Sequence, residues 1–287
     1  MISPWWTVPP AALALIALAL VAGGLQRAAV FRHSVEHGRP PRAHCPACAA
    51  RLVPGAGGDA LRGNRRRAAA PRGGGRPALP GGPGMAVLPS TGRCPACSAE
   101  IGPPPFSVEL ITALLLADLA AVAVPTGEAG GPGGPPGELL AFGWLAVLAV
   151  PLAFVDTAVR RLPDRLTLPA WAGTLTILAV TAALGHRPGD LVTAVLGGLA
   201  MGAFYLLLFL IHPAGIGLGD AKLGLALGSA LGWFGWNEVL AGLFLTHLLG
   251  GLYGAALLAL RRARRGTEIP FGPFMIIAAF AVILTGR

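Results

Sequence analysis

Apolar residues run along this chain in long unbroken blocks, not at the alternating or helical spacing of a water-facing domain. Each block therefore reads as a helix that is apolar all round. The first extends from Pro4 to Leu25, with Trp5 and Trp6 at its outer end, where indole rings favour a membrane interface. It is longer than the apolar part of a secretion signal and no positive segment precedes it, so it reads as a first span. Polar sequence rich in Arg, Gly, Pro and Ala follows from Gln26 to Pro105. Seven further blocks, at about 106–124, 138–155, 166–185, 190–211, 218–236, 238–260 and 269–285, each approach the ~20 residues that a bilayer core requires of a helix. The pattern predicts an all-α polytopic membrane protein of about eight transmembrane helices. Its parts are a first helix over 1–25, a loop over 26–105 and a seven-helix membrane domain over 106–287.

Composition agrees: hydrophobic residues make up 54% and charged ones 12% of 287 residues, and mean hydropathy is +0.66. A soluble core could not hide that much apolar surface, so the expected partner is a lipid bilayer. The net charge of +9 invites a nucleic-acid reading. The basic residues, however, are confined to a few loops and lack interleaved aromatics for base stacking, so no nucleic-acid partner is expected.

Charge then orients the helices. With Met1 outside, the inward loops hold twelve arginines in 26–105, then Arg160, Arg161 and Arg165, then Lys222, then Arg261, Arg262, Arg264 and Arg265. Only Arg187 and Arg287 fall on the other side, and loop 125–137 has no positive residue. The positive-inside rule therefore predicts both termini outside and a cytoplasmic 26–105 loop.

Acidic residues beside hydrocarbon-spanning segments are costly and usually functional. Asp156 and Asp164 stand at the end of one apolar block and Asp220, in Gly217-Leu218-Gly219-Asp220, opens another. An out-and-back pair of helices between Asp156 and Asp220 returns both to one membrane face. Two carboxylates in a partly desolvated site titrate apart, one serving as base for a water and the other as acid. Gly217 and Gly219 would supply backbone freedom and close approach for an extended substrate; as a structural alternative, Asp220 caps a helix. Asp156 could pair with Arg160, and Lys222 could pair with Asp220 or anchor its helix at the interface. Glu109, near the inward end of the second block, is expected to stay hydrated and is a secondary candidate. Asp118 is expected to form a hydrogen bond inside the bundle. Gly197-Gly198 and Gly250-Gly251 are expected to let helices pack closely.

All four cysteines lie in the 26–105 loop, as Cys45-Pro46-Ala47-Cys48 and Cys94-Pro95-Ala96-Cys97. Two such knuckles supply the four thiolates of a tetrahedral structural zinc, and a reducing cytoplasm keeps them available. A redox pair or unrelated free thiols are the alternatives. His44 is adjacent, but four cysteines already complete a site. The segment between the knuckles is low in complexity and is expected to be disordered. Its Arg65, Arg66 and Arg67 form either a solvated linker or a headgroup contact.

Six stretches taken together resemble the bifunctional prepilin peptidases, members of the G-x-G-D aspartyl membrane proteases. They are the two C-P-A-C pairs, F-S-V-E-L-I-T-A-L-L-L at 106–116, V-D-T-A-V-R-R-L-P-D-R-L-T-L-P at 155–169, G-L-G-D-A-K-L at 217–223 and E-I-P-F-G-P-F at 268–274. They occur in the family's order. A lone G-x-G-D would say little, whereas this combination is specific. The resemblance implies that Asp156 and Asp220 are the catalytic pair, with Asp164 at a second acidic position not assigned to catalysis. Gly217, Gly219, Asp164, Lys222 and Glu109 would shape the site, and 106–287 would be the protease domain. It further implies a multi-pass protein of the bacterial inner membrane that cleaves the leaders of prepilins or pseudopilins at the cytoplasmic face. S-adenosylmethionine would be the methyl donor for the new N-terminus. Where the family has a compact zinc loop, this chain carries an Arg/Gly/Pro insertion over 51–93. A peptidase without methylation, a proton-coupled transporter and a zinc-dependent membrane adaptor are the alternatives.

Overall fold

The computed structural model describes residues 10–36, 39–53, 88–123, 136–213, 215–262 and 269–285. Trp5, Trp6, the body of the insert, most of loop 125–137, Arg264 and Arg265 lie outside the described residues. Eight helices are present among the described residues: α1 (Pro10–His33), α2 (Ser107–Ala123), α3 (Pro136–Val159), α4 (Asp164–Gly185), α5 (Pro188–Ile211), α6 (Leu218–Gly232), α7 (Trp236–Ala259) and α8 (Gly272–Thr285). No β-strand occurs among them, only isolated antiparallel bridges between His44 and Arg51 and between Arg93 and Glu100.

Among the described residues, four helices are long and apolar enough to cross a membrane: Gly137–Val159, Asp164–Gly185, Pro188–Ile211 and Trp236–Ala259. The expected block 218–236 ends as a helix at Gly232, where Phe234 and Gly235 turn back onto Leu231 O and Gly235 takes a φ of +135°. At 14 residues α8 is about 21 Å long, short of the ~30 Å hydrocarbon core.

The short α6 is the centre of the bundle. Leu223, Ala226, Leu227, Ala230 and Leu231 are fully buried, and α5 lies along it almost backbone to backbone. A Cβ on Gly197 would come within 2.8 Å of Gly228 O, and one on Gly228 within 2.5 Å of Gly197 O. Small residues thus set the α5–α6 distance, as expected for Gly197-Gly198. The same expectation fails at Gly251, whose missing Cβ faces open space.

One charged cluster aligns the helices at the end remote from the candidate acids. Glu138, buried in the first turn of α3, accepts hydrogen bonds from Arg187 Nη1 at 2.8 Å and Trp233 Nε1 at 2.9 Å. The Arg187 guanidinium also lies over the Trp233 ring, 5.2 Å from its centroid. The start of α3, the turn before α5 and the end of α6 are thereby held together.

Where the apolar block ends at Leu25, the helix does not: α1 continues to His33, correcting the reading of Gln26 onward as a soluble loop. The polar residues of this extension face protein. Gln26 Nε2 donates to Val147 O at 2.7 Å, and Gln26 Oε1 accepts from Thr112 Oγ1 at 3.1 Å. Arg27 donates from Nε and Nη2 to the two oxygens of Glu109, each at 2.8 Å, and from Nη1 and Nη2 to the carbonyls of Pro103 and Pro104. Glu109 is therefore a buried ion-pair partner, not a hydrated carboxylate. Asp118 departs from expectation in the opposite sense, being exposed on the outside of α2.

Candidate functional site

Asp156 is delivered by the last turn of α3. The helix stops because Arg160 turns left-handed at φ 51°, its N–H still bonded to Asp156 O at 2.7 Å. The chain then crosses the start of α6 through Leu162, and Pro163 leads into α4. That crossing requires glycine at position 219, because a Cβ there would lie 2.8 Å from Leu162 Cβ. Gly217 has ordinary extended backbone at φ −85° and ψ 151°, and Gly219 is not among the positive-φ residues. Close approach at Gly219, and not conformational freedom at either glycine, is what the G-x-G-D turn uses.

Asp220 is the third helical residue of α6, and its Oδ2 accepts the Gly217 N–H at 2.9 Å. Asp220 is thus not the N-cap considered for it, which is Gly217; it is the third residue, whose side chain bonds back to the N-cap N–H. Asp156 Oδ2 accepts a 2.9 Å bond from the N–H of Gly272, the first residue of α8. Each carboxylate therefore sits at a helix N-terminus, where backbone N–H groups and the helix dipole favour negative charge. Both are nearly sealed from solvent outside the cavities, at 4% and 7% exposure for Asp156 and Asp220.

The two acids face shared space and are near enough for their charges to interact. Asp156, Arg160, Gly217 and Asp220 line both of two adjoining cavities, of about 330 and 190 Å³. The first is completed by Asp164, Lys222 and the 161–162 crossing, the second by Pro213, Ile216 and the Ile269–Phe271 approach to α8. Lys222 pairs with Asp164, Nζ to Oδ1 at 2.6 Å, and not with Asp220. The reason is position: Asp164 opens α4 across the cavity mouth from Lys222, whereas Asp220 turns back to its own Gly217. Glu109 lines neither cavity. Two buried acids sharing a cavity can hold one proton between them and can serve together as acid and base toward a bound water.

Gly272 is the residue that reading by charge and periodicity passes over. A Cβ there would lie 2.9 Å from Asp156 Oδ2. Its signals were its place in P-F-G-P, a glycine between prolines at the start of an apolar block, and in the 268–274 stretch that carries the family resemblance. Tyr205 was passed over as well. It is fully buried within electrostatic reach of Asp220, and its ring stacks on His247 at 5.9 Å between centroids.

The four cysteines form a second centre. Cys45 and Cys94 begin equivalent turns: each sulfur-bearing residue donates its N–H to the residue five ahead (Ala50 or Ala99) and accepts from the residue four ahead (Ala49 or Ser98), which takes a positive φ. All four Sγ atoms lie within 4.8 Å of one another, with Cys45–Cys97 at 3.8 Å and Cys48–Cys94 at 3.7 Å. A tetrahedron of sulfurs about 2.3 Å from a central zinc has edges of about 3.8 Å. The residues therefore fit a metal ion of that kind. His44 is exposed and outside the cluster. Phe31, Leu52, Val53, Leu88 and Ile101 form a small core that seats the cluster on the end of α1.

The sequence model of the type IV leader peptidase family matches residues 139–255, which include both acids. The chain is similar to the prepilin leader peptidase/N-methyltransferase of Aeromonas salmonicida (strain A449), at 35% identity over 199 residues, covering 68% of this chain and 62% of the relative. It is similar to the protein of the same description in Pseudomonas aeruginosa, at 35% over 207 residues, covering 71% and 66%. The Burkholderia pseudomallei (strain K96243) counterpart is 32% identical over 210 residues, covering 71% and 62%. The chain thus spans somewhat less than two thirds of the curated relatives' length. No solved structure matches it.

Proposed function

Because the chain belongs to the type IV leader peptidase family and is an integral membrane protein, we propose that it is an aspartyl endopeptidase that removes the leaders of prepilin-like proteins. The observation that carries this reading is the meeting of Asp156 and Asp220, from helices α3 and α6, in the wall of one pair of cavities. Water held between them loses a proton to the ionised carboxylate and attacks the scissile carbonyl as the protonated partner gives its proton to the carbonyl oxygen; the carboxyl that took the water's proton then gives it to the leaving amine, and a hydroxyl proton of the tetrahedral intermediate returns to the partner as the carbonyl re-forms. The hydrogen bonds from Gly217 and Gly272 hold each carboxylate in one orientation for that exchange.

The site lies at the cytoplasmic face in this reading, with eight spans and both termini outside, because the positive residues collect at the end of the bundle that carries the acids. A proton-coupled transporter would keep its acids near mid-membrane. Here Asp156 is in the last turn of α3 and Asp220 in the first turn of α6. The cysteine cluster holds one structural zinc through Cys45, Cys48, Cys94 and Cys97, which fixes the loop on the end of α1 and takes no part in the hydrolysis. The protein also methylates the new N-terminus, as the descriptions of its relatives suggest, with S-adenosylmethionine as donor. Purified full-length protein incubated with a prepilin and S-adenosylmethionine, analysed by mass spectrometry, tests both steps. Leader removal with a +14 Da product is expected, and an uncleaved prepilin would overturn the reading.

A further inference from the structure

A third cavity, larger than either beside the acids, lies on the other side of α3. Of about 390 Å³, it is enclosed by the end of α1, the cysteine module and the last turn of α3, and its size falls in the range of small-molecule sites. Phe154, Thr157 and Ala158 line it, which places them on one face of α3, whereas Asp156 and Arg160 turn to the acid cavities on another. Its remaining walls are mixed. Val30, Phe31, Ile101 and Pro103 are apolar; Ser34, Arg42 and Glu100 are polar. The Ser34 hydroxyl is buried there with no hydrogen-bond partner among the described residues, which in a lined cavity points to a ligand atom. Among the described residues, the Glu100 carboxylate makes a long, exposed contact with Arg93 at 3.4 Å.

We propose that this cavity is the binding site for S-adenosylmethionine, an inference that rests on the reading of the chain as a peptidase that also methylates. One cation and one anion in a single pocket suit a zwitterion. Arg42 would take the carboxylate of the methionine part and Glu100 its ammonium. The apolar walls from α1 and α3 would cover the adenine, and Ser34 would donate to a ring or ribose heteroatom. When bound, the donor supplies an electrophilic methyl: the neutral amine nitrogen of the cleaved substrate forms the N–CH3 bond as the C–S bond breaks, the electron pair passing to sulfur to give S-adenosylhomocysteine and a methylammonium product.

The two chemistries are then separated by the thickness of one helix, about 10–12 Å. A new N-terminus leaves the acids and moves around the end of α3 before it is methylated, so blocking this cavity spares cleavage. Gly102 gives a way to block it. It lines the cavity, a Cβ there meets nothing within 4 Å, and it is not among the positive-φ glycines, so a large side chain enters the space without backbone strain.

The test is calorimetric binding of S-adenosylhomocysteine to the full-length protein in detergent, alongside leader cleavage by the same preparations. Wild type binds; Gly102→Phe does not; Arg42→Ala binds about tenfold more weakly through loss of one charge-assisted contact; both variants cleave as wild type does. Photolabelling by radioactive S-adenosylmethionine, mapped to peptides, gives a second readout that needs no variant, with label expected within 30–46 or 100–103. Unchanged binding by Gly102→Phe, or label confined to other segments, overturns the site. A wild-type preparation that cleaves but does not bind overturns this inference and leaves the peptidase reading standing. One that neither binds nor cleaves counts against both.

Discussion

Gly272 donates its backbone N–H to Asp156 at 2.9 Å across 116 residues of sequence, joining the start of α8 to the end of α3. The same geometry leaves no room for a side chain at position 272. Gly272→Ala should therefore fold and insert, yet displace the Asp156 carboxylate. A displacement of this order costs about a hundredfold in rate. Measured kcat/KM for leader cleavage close to wild type would show that the bond does not position the acid.

The Lys222–Asp164 pair crosses the cavity mouth with side chains 30% and 56% exposed. Exposed pairs contribute about 0–1 kcal/mol, so Asp164→Asn and Lys222→Ala should each change stability by no more than that. Both should retain substantial cleavage. Thermal unfolding in detergent and a cleavage assay check the two halves separately, and an inactive but folded Asp164→Asn would place a third carboxylate in the chemistry.

Arg27 and Glu109 form a two-pronged ion pair with side chains only 2% and 3% exposed. Removing one partner leaves a buried charge alone, so Glu109→Gln should cost about 3–5 kcal/mol. Because Arg27 also holds the carbonyls of Pro103 and Pro104, the loss should appear as earlier unfolding and as metal released from the cysteine cluster. The double variant Arg27→Met with Glu109→Leu, which removes both charges, should recover part of the loss.

Deletion of 55–86 should leave cleavage and one bound zinc per chain intact, since shortening a closed loop costs little entropy. The end point matters. Leu88 is buried against the cysteine module and its N–H donates to Gly24 O at 3.1 Å, so extending the deletion through Leu88 should weaken metal retention. Metal analysis of freshly reduced protein distinguishes the two deletions.

The apolar blocks located all eight helices, because a helix that is hydrophobic all round leaves a mark independent of what it packs against. Asp156, Asp220 and the four cysteines were legible for a similar reason: each is an anomaly in its surroundings, an acid at the edge of hydrocarbon or a repeated thiol spacing. What escaped depends on partners distant in sequence. Nothing local tells that Glu109 will meet Arg27 or that Lys222 will meet Asp164. Gly272 acts through the side chain it lacks, and Asp118 faces outward because the phase of α2 around its axis is set by packing.

If Asp156 and Asp220 act as one acid–base pair, replacing either by its isosteric amide should stop the reaction. Asp156→Asn and Asp220→Asn keep shape and lose the proton exchange, so each should lower leader cleavage by at least about a hundredfold. The measurement is the fraction of a prepilin cleaved over time, read by mass spectrometry, by protein shown to be membrane-inserted and to hold its metal. Loss of cleavage in both variants is the predicted result. Near-normal processing by either one would contradict the account.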